Sequence, residues 1–357
     1  MPSAGTQRRL PMSEFARRVV VATLIVIALV TGAVVLWQVR EVLALLFIAF
    51  TLAAAMRPGI EALNRHGVPR GAGLAIHYVA ILGLIMLALW LVVPRAITQV
   101  DLAVNGNQIG NAAKHSTGVK HDVLVAVQKR LDNLPKAGTL IHRGFGITKV
   151  AIEVLVATLF VFASAAYWIF EREAAVNLVA SLVARPNRKK VRDTWHLIDL
   201  KLGAYVRGQL LLITIVATVL STGFFFVDEP YWLLVGVFAG FVEIIPVVGP
   251  LAAGATAVGV GLTSSVQTGI LAGVVVFAMR MLQDYVIVPR VMGNVVGISP
   301  LVVLVAALST SLVFGGAAVV LAVPLAAVIV TLVDVIVRDK DPSEEDVPTV
   351  LFTSDEE

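Results

Sequence analysis

VMGNVVGISPLVVLVAALSTSLVFGGAAVVLAVPLAAVIVTLV, running from Val291 to Val333, contains no ionisable side chain. Apolar strands in soluble folds last about 4–8 residues, so a run of this length is expected in lipid. As one straight α-helix it would be roughly 64 Å long, twice the hydrocarbon thickness of a bilayer. It must be interrupted, and Gly315, Gly316 and Pro324 are the residues suited to do so. Arg290 and Arg338 flank the run, and both read as cytoplasmic charges. The run is therefore expected to enter and leave on one side, as a helix–break–helix hairpin.

The same pattern precedes it. Tyr231–Leu262 is apolar except for Glu243 and is interrupted at Pro246 and at Gly249-Pro250. Gly208–Val227 would deliver the chain to this segment from the opposite side, and Ser264–Met279 would return it towards Arg280, Asp284 and Arg290. Residues 208–337 thus read as a core of span plus hairpin, followed by span plus hairpin in inverted orientation. Pro250-Leu251-Ala252-Ala253 echoes Pro324-Leu325-Ala326-Ala327. Inverted repeats with discontinuous helices are one way in which secondary transporters build a midplane site.

Towards the N-terminus, residues 1–18 read as cytoplasmic, because Arg8, Arg9, Arg17 and Arg18 precede the uncharged Val19–Trp37. Residues 19–93 are expected to hold three transmembrane helices, with a turn at Arg40-Glu41, a basic loop carrying Arg57, Arg65 and Arg70, and an end at Pro94. In residues 94–149, Val119, Val123, Leu124, Val127 and Leu131 recur at helical spacing opposite Lys120 and Lys129. That describes an extracytoplasmic amphipathic region lying on a membrane surface, on neighbouring protein or between copies in a homo-oligomer. Residues 150–170 cross back. Residues 171–207 form a basic cytoplasmic helical linker with Arg185, Arg188, Lys189, Lys190 and Arg192, which orients the chain or binds anionic lipid head groups. Residues 338–357 read as an acidic, disordered cytoplasmic tail. The expected fold is an all-α integral membrane protein with about eight membrane-embedded helical segments, two of them broken or re-entrant.

Composition agrees. Of 357 residues, 58% are hydrophobic and 15% charged, against about a quarter charged in soluble domains. There are no cysteines, which excludes disulfides and thiol chemistry. The net charge of +4 lies on loops and reads as topology, not nucleic-acid binding. No phosphate-binding loop, paired histidines, serine–histidine set or paired aspartates stand out, so no enzyme, cofactor or metal is expected.

Three stretches resemble the autoinducer-2 exporter-like transporter family of bacterial membrane proteins. They are Tyr205-Val206-Arg207-Gly208-Gln209, Glu243-Ile244-Ile245-Pro246-Val247-Val248-Gly249-Pro250, and Gln283-Asp284-Tyr285-Val286-Ile287-Val288-Pro289-Arg290-Val291-Met292-Gly293 with Gly297-Ile298-Ser299-Pro300. Arg57-Pro58 and Gly67-Val68-Pro69-Arg70 are similar to the family's loop before the third span. The resemblance implies a permease in the bacterial inner membrane moving a small solute or ion.

Ionisable residues within spans need a partner or a task. Glu243 could bind a proton or cation, or cap the backbone freed by its break. Arg280 and Asp284 stand at i and i+4 and could pair structurally or serve in coupling. Arg207, Gln209 and Arg290 lie at span ends, as interface anchors or ligands. His77 and Glu153 read as satisfied polar residues. Transport of a small solute is the expected function. A monovalent cation/proton antiporter using Glu243 and Asp284 is the alternative within that class, and a non-transporting scaffold or sensor the alternative outside it.

Overall fold

The computed structural model describes residues 12–105, 144–291, 299–345 and Val347. The amphipathic stretch between Val119 and Leu131 lies outside the described residues. Among those described, all regular structure is helical. The elements are α1 (Met12–Gln38), α2 (Arg40–Arg65), α3 (Arg70–Asn105) and α4 (Gly144–Ser181), then α5 (Arg188–Phe226), α6 (Trp232–Val242) and α7 (Val248–Ser264). They continue with α8 (Val266–Leu282), a π-turn (Gln283–Ile287), α9 (Val288–Val291), α10 (Pro300–Phe314), a 3-10 turn (Gly316–Leu321) and α11 (Ala322–Ile336). Among the described residues, seven helical stretches are long and apolar enough to cross a membrane, and three shorter apolar helices accompany them. The chain is an all-α integral membrane protein.

Two local expectations differ from the structure. Val39 alone separates α1 from α2, and the helical ladder carries across it, from Val39 N–H to the Val35 carbonyl and from Leu43 N–H to the Val39 carbonyl. Arg40-Glu41 therefore falls in the first turn of α2 and is not itself the turn. The Arg40 guanidinium lies over the Trp37 ring. α3 also does not end at Pro94 but continues through it to Asn105. A proline removes one ladder bond, and long helices absorb that as a bend.

Helices come together where side chains are small. Ala49 and Ala53 of α2 pack with Val161 and Ala165 of α4 and Leu74 of α3. In the second half, Leu212, Val216, Leu220 and Phe224 line one face of α5. They meet Val235 and Ala239 of α6, Ala253 and Ala257 of α7, and Ala272 and Met279 of α8. Lipid supplies no hydrophobic drive between helices, so close backbone approach through small residues carries the packing. Charge is satisfied in clusters at one end of the bundle. Asp199 of α5 accepts from Arg172 and, at 3.5 Å, from Arg57, which also holds Glu61 at 2.6 Å. The segment after α11 is held as well: Asp334 binds Arg338 and Lys340, and Lys201 reaches Glu345 at 2.6 Å. The tail therefore carries fixed ion pairs as far as Glu345, while Asp346 and residues 348–357 lie outside the described residues.

Gly240 marks the tightest contact of α6 with α5, where a Cβ would stand 2.6 Å from that of Ala217 and 2.8 Å from the Ile213 carbonyl oxygen. Gly240→Ala is expected to destabilise the protein by about 1–3 kcal/mol, seen as a lowered thermal midpoint in detergent. An unchanged midpoint would mean that the two helices are not in register as described.

Candidate functional site

The site forms where the first hairpin breaks. As α6 ends, Ile244 N–H donates to the Phe241 carbonyl at 3.2 Å and Ile245 N–H to that of Val242 at 3.0 Å. Pro246 has no N–H to continue. Val247 then takes φ 66° and ψ −47°, and Val248 N–H closes onto the Pro246 carbonyl at 2.7 Å. This is a γ-turn of the positive-φ kind, strained for a β-branched residue. Gly249 and Pro250 fall not in the break but in the first turn of α7, where proline's missing donor is harmless. A Cβ on Gly249 would stand 2.2 Å from the Val242 oxygen, so only glycine allows the two arms to meet here.

Glu243 ends α6, with its side chain 8% exposed. Its Oε1 accepts from Gln283 Nε2 at 2.6 Å and from Arg280 Nη1 at 3.3 Å. Arg280 Nε in turn donates to Asp284 Oδ2 at 2.9 Å. Gln283 and Asp284 open the π-turn that interrupts α8. Arg280 and Gln283 stand three apart where α8 passes into the π-turn, so one helix face presents both to the same carboxylate. The result is a four-residue polar chain linking a broken hairpin to an irregular helix. Both irregularities leave soft backbone beside exchangeable hydrogen bonds. Such a cluster can take up a proton, bind a cation in competition with Arg280, or offer donors and acceptors to a hydroxylated solute.

The second hairpin breaks at Gly315, with φ 96°, and continues through the 3-10 turn that Gly316 opens. Pro324 lies in the first turn of α11, beyond the break. Arg207 Nη1 donates to the Ala55 carbonyl at 3.2 Å, tying α5 to α2. Gln209 is half-buried on α5, and Arg290 is exposed on α9. His77 Nδ1 is bonded to the Gly73 carbonyl at 2.8 Å, and Ser299 caps α10. Of the sequence-derived candidates, then, the structure joins Glu243, Arg280 and Asp284.

A family model described as AI-2E family transporter matches residues 24–338. The chain belongs to the AI-2E transporter family. It is 27% identical over 295 residues to a Bacillus subtilis (strain 168) protein named "Putative transport protein YrrI", covering 80% of this chain and 83% of that one. It is 27% identical over 201 residues to "Putative transport protein YueF" of the same organism, covering 56% and 53%. The chain is thus a multi-pass membrane transporter.

Two residues of this AI-2E transporter escaped the sequence reading. Gln283 is buried at the start of the π-turn, and as a neutral amide it gives no charge signal in the sequence. Glu229 sat in an Asp228-Glu229-Pro230 stretch that reads as a loop, yet it is 2% exposed. Elsewhere, a cavity of about 940 Å³ between α2, α4, α5 and α11 is lined by Phe50, Trp168 and Trp195, with Lys190 and Asp339 beside it. None of the four cluster residues touches it.

Gln283→Leu removes the shorter bond to a buried carboxylate and is expected to cost about 1.5–3 kcal/mol. In a thermal-unfolding cycle with Glu243→Gln, the double variant should lose less than the sum of the two, with coupling above about 0.5 kcal/mol. Additive losses would show that the two side chains do not interact.

Proposed function

We propose that this AI-2E family transporter is a secondary or facilitative carrier moving a small polar solute across the bacterial inner membrane, with both termini cytoplasmic. In this reading the two hairpins enter from opposite sides. The observation that supports it best is Glu243 at the tip of a broken hairpin, bonded to Gln283 and Arg280 of the interrupted α8. A buried carboxylate at a helix break is an expensive arrangement that marks solute and ion pathways.

The resemblance to autoinducer-2 exporters makes a small diol the first solute to try. Hydroxyl groups can donate to Glu243 and Asp284 and accept from Arg280 and Gln283, so solute binding would exchange bonds already present. Cation/proton antiport is the second reading. There a monovalent cation would have to displace Arg280 from two carboxylates at once, which favours the diol.

The test is flux in proteoliposomes, with and without a proton or sodium gradient, for autoinducer-2, other small diols, Na⁺ and K⁺. Diol flux in the wild type that drops to the protein-free level in Glu243→Gln is the expected result. Cation exchange with no diol movement would select antiport. Absence of any flux in the wild type would favour a scaffold or sensor.

A further inference from the structure

The structure holds a second buried carboxylate that the Glu243 cluster does not use. Glu229 lies between α5 and α6, and its backbone position is fixed by how α5 ends. Asp228 takes the left-handed conformation, φ 52°, and its N–H donates to the Phe225 carbonyl at 3.3 Å. Glu229 N–H reaches back to the Phe224 carbonyl at 3.0 Å. These two bonds are the Schellman pattern of a helix C-terminus, and Pro230 follows it. With its backbone pinned, the side chain is committed to the interior.

There it meets no partner among the described residues. Glu229 is 2% exposed, and both carboxyl oxygens are buried with no hydrogen bond to any described residue. Oε2 stands at the tight turn where Ser265 joins α7 to α8: a Cβ on Gly261 would lie 2.7 Å from it and 2.8 Å from the Cα of Gly269. No lysine, arginine or histidine occurs between Gly208 and Met279, which includes the C-terminal half of α5, all of α6 and α7, and most of α8. The charged and titratable groups nearest in sequence are Asp228, which is exposed, and Tyr231. Asp228 is negative, and the Tyr231 hydroxyl makes no hydrogen bond to either Glu229 oxygen.

An ionised carboxylate without donors in such a place costs several kcal/mol. The neutral acid is tolerable. Burial pushes the Glu229 carboxyl up to about 7 from the 4.5 of a free side chain. Two oxygens without a further ligating group also suit a proton, whereas hard cations take six or more oxygens.

We propose that Glu229 is the proton-binding site of the transport cycle, and that its proton is released only when the α5–α6 corner that carries it moves off the α7–α8 turn. This rests on the carrier reading above. Release leaves a carboxylate, which needs water or donors that the close packing at Gly261 and Gly269 excludes. Charge therefore favours the open arrangement and protonation the closed one, which is the differential affinity that coupling requires. Glu243 and Glu229 stand at opposite ends of α6, so one short rigid helix of 11 residues, roughly 16 Å long, connects the proposed solute site with the proton site.

The sign of the stability effect follows. The folded protein keeps the proton where the unfolded chain has lost it. The contribution is fully present below about 4.5 and disappears as pH rises through about 7.

Three readouts on the full chain in nanodiscs or proteoliposomes test the proposal, using wild type, Glu229→Gln and Glu229→Asp. Infrared difference spectra should show a protonated-carboxyl C=O band in the wild type, lost with a midpoint near neutral pH and absent from Glu229→Gln. The thermal midpoint should fall from about pH 5 to about pH 8 in the wild type and be flat over that range in Glu229→Gln. In vesicles loaded with pyranine, an autoinducer-2 or Na⁺ gradient should move protons with the wild type. Glu229→Gln should still exchange solute but move no protons, and Glu229→Asp should regain proton movement. Wild-type proton movement in Glu229→Gln, or an infrared midpoint near that of a free glutamate, overturns the proposal. A wild type that moves nothing defeats the carrier reading, and the infrared and thermal results then decide alone whether Glu229 holds a proton.

Discussion

A helix that breaks inside a bilayer frees peptide groups that lipid cannot hydrogen-bond, and the rest of this structure answers that constraint. At the first break the backbone partly heals itself, through tight bonds at Ile244 and Ile245 and the γ-turn at Val247. The remaining protection comes from protein. Glu243 is placed at the point of rupture, and one face at the end of α8 supplies Gln283 and Arg280 to it.

The small residues of the second half serve the same end. Gly240 lets α6 press onto α5, Gly249 lets the hairpin arms meet, and Gly261 and Gly269 let α7 turn tightly into α8. Backbones this close leave little room for relaxation, and packed interfaces of this kind switch between discrete arrangements more readily than they deform. Glu243, held by α8, stands at one end of α6, and Glu229, packed against the α7–α8 turn, at the other.

Most of the architecture was legible because lipid imposes it. Apolar run length gave the spans, and the excess length of Val291–Val333 and Tyr231–Leu262 required breaks. Gly315 and Pro246 do lie in those breaks, whereas Gly249, Pro250 and Pro324 lie in the turns that restart a helix, where proline and glycine are equally welcome. Sequence does not distinguish the two positions, since both need a residue that ends or begins a ladder. The turn at Arg40-Glu41 failed for a related reason: a charged pair marks an interface but does not by itself reverse a helix. Glu243, Arg280 and Asp284 were visible as charges out of place. Gln283 was not, because a neutral amide within an apolar span carries no charge to mark it. Glu229 was masked by its neighbours, since Asp-Glu-Pro signals a solvated loop unless the packing of α7 and α8 over it is known.

The central claim is that two broken hairpins reach into the membrane from opposite sides. The chain contains no cysteine, so single cysteines can be introduced without altering any other residue. Val247→Cys and Gly315→Cys, each labelled in intact and inverted vesicles with a membrane-impermeant maleimide, place the two breaks directly. Reaction of the two positions from opposite faces is the predicted result. Reaction of both from the same face would contradict the inverted arrangement and the carrier mechanism built on it.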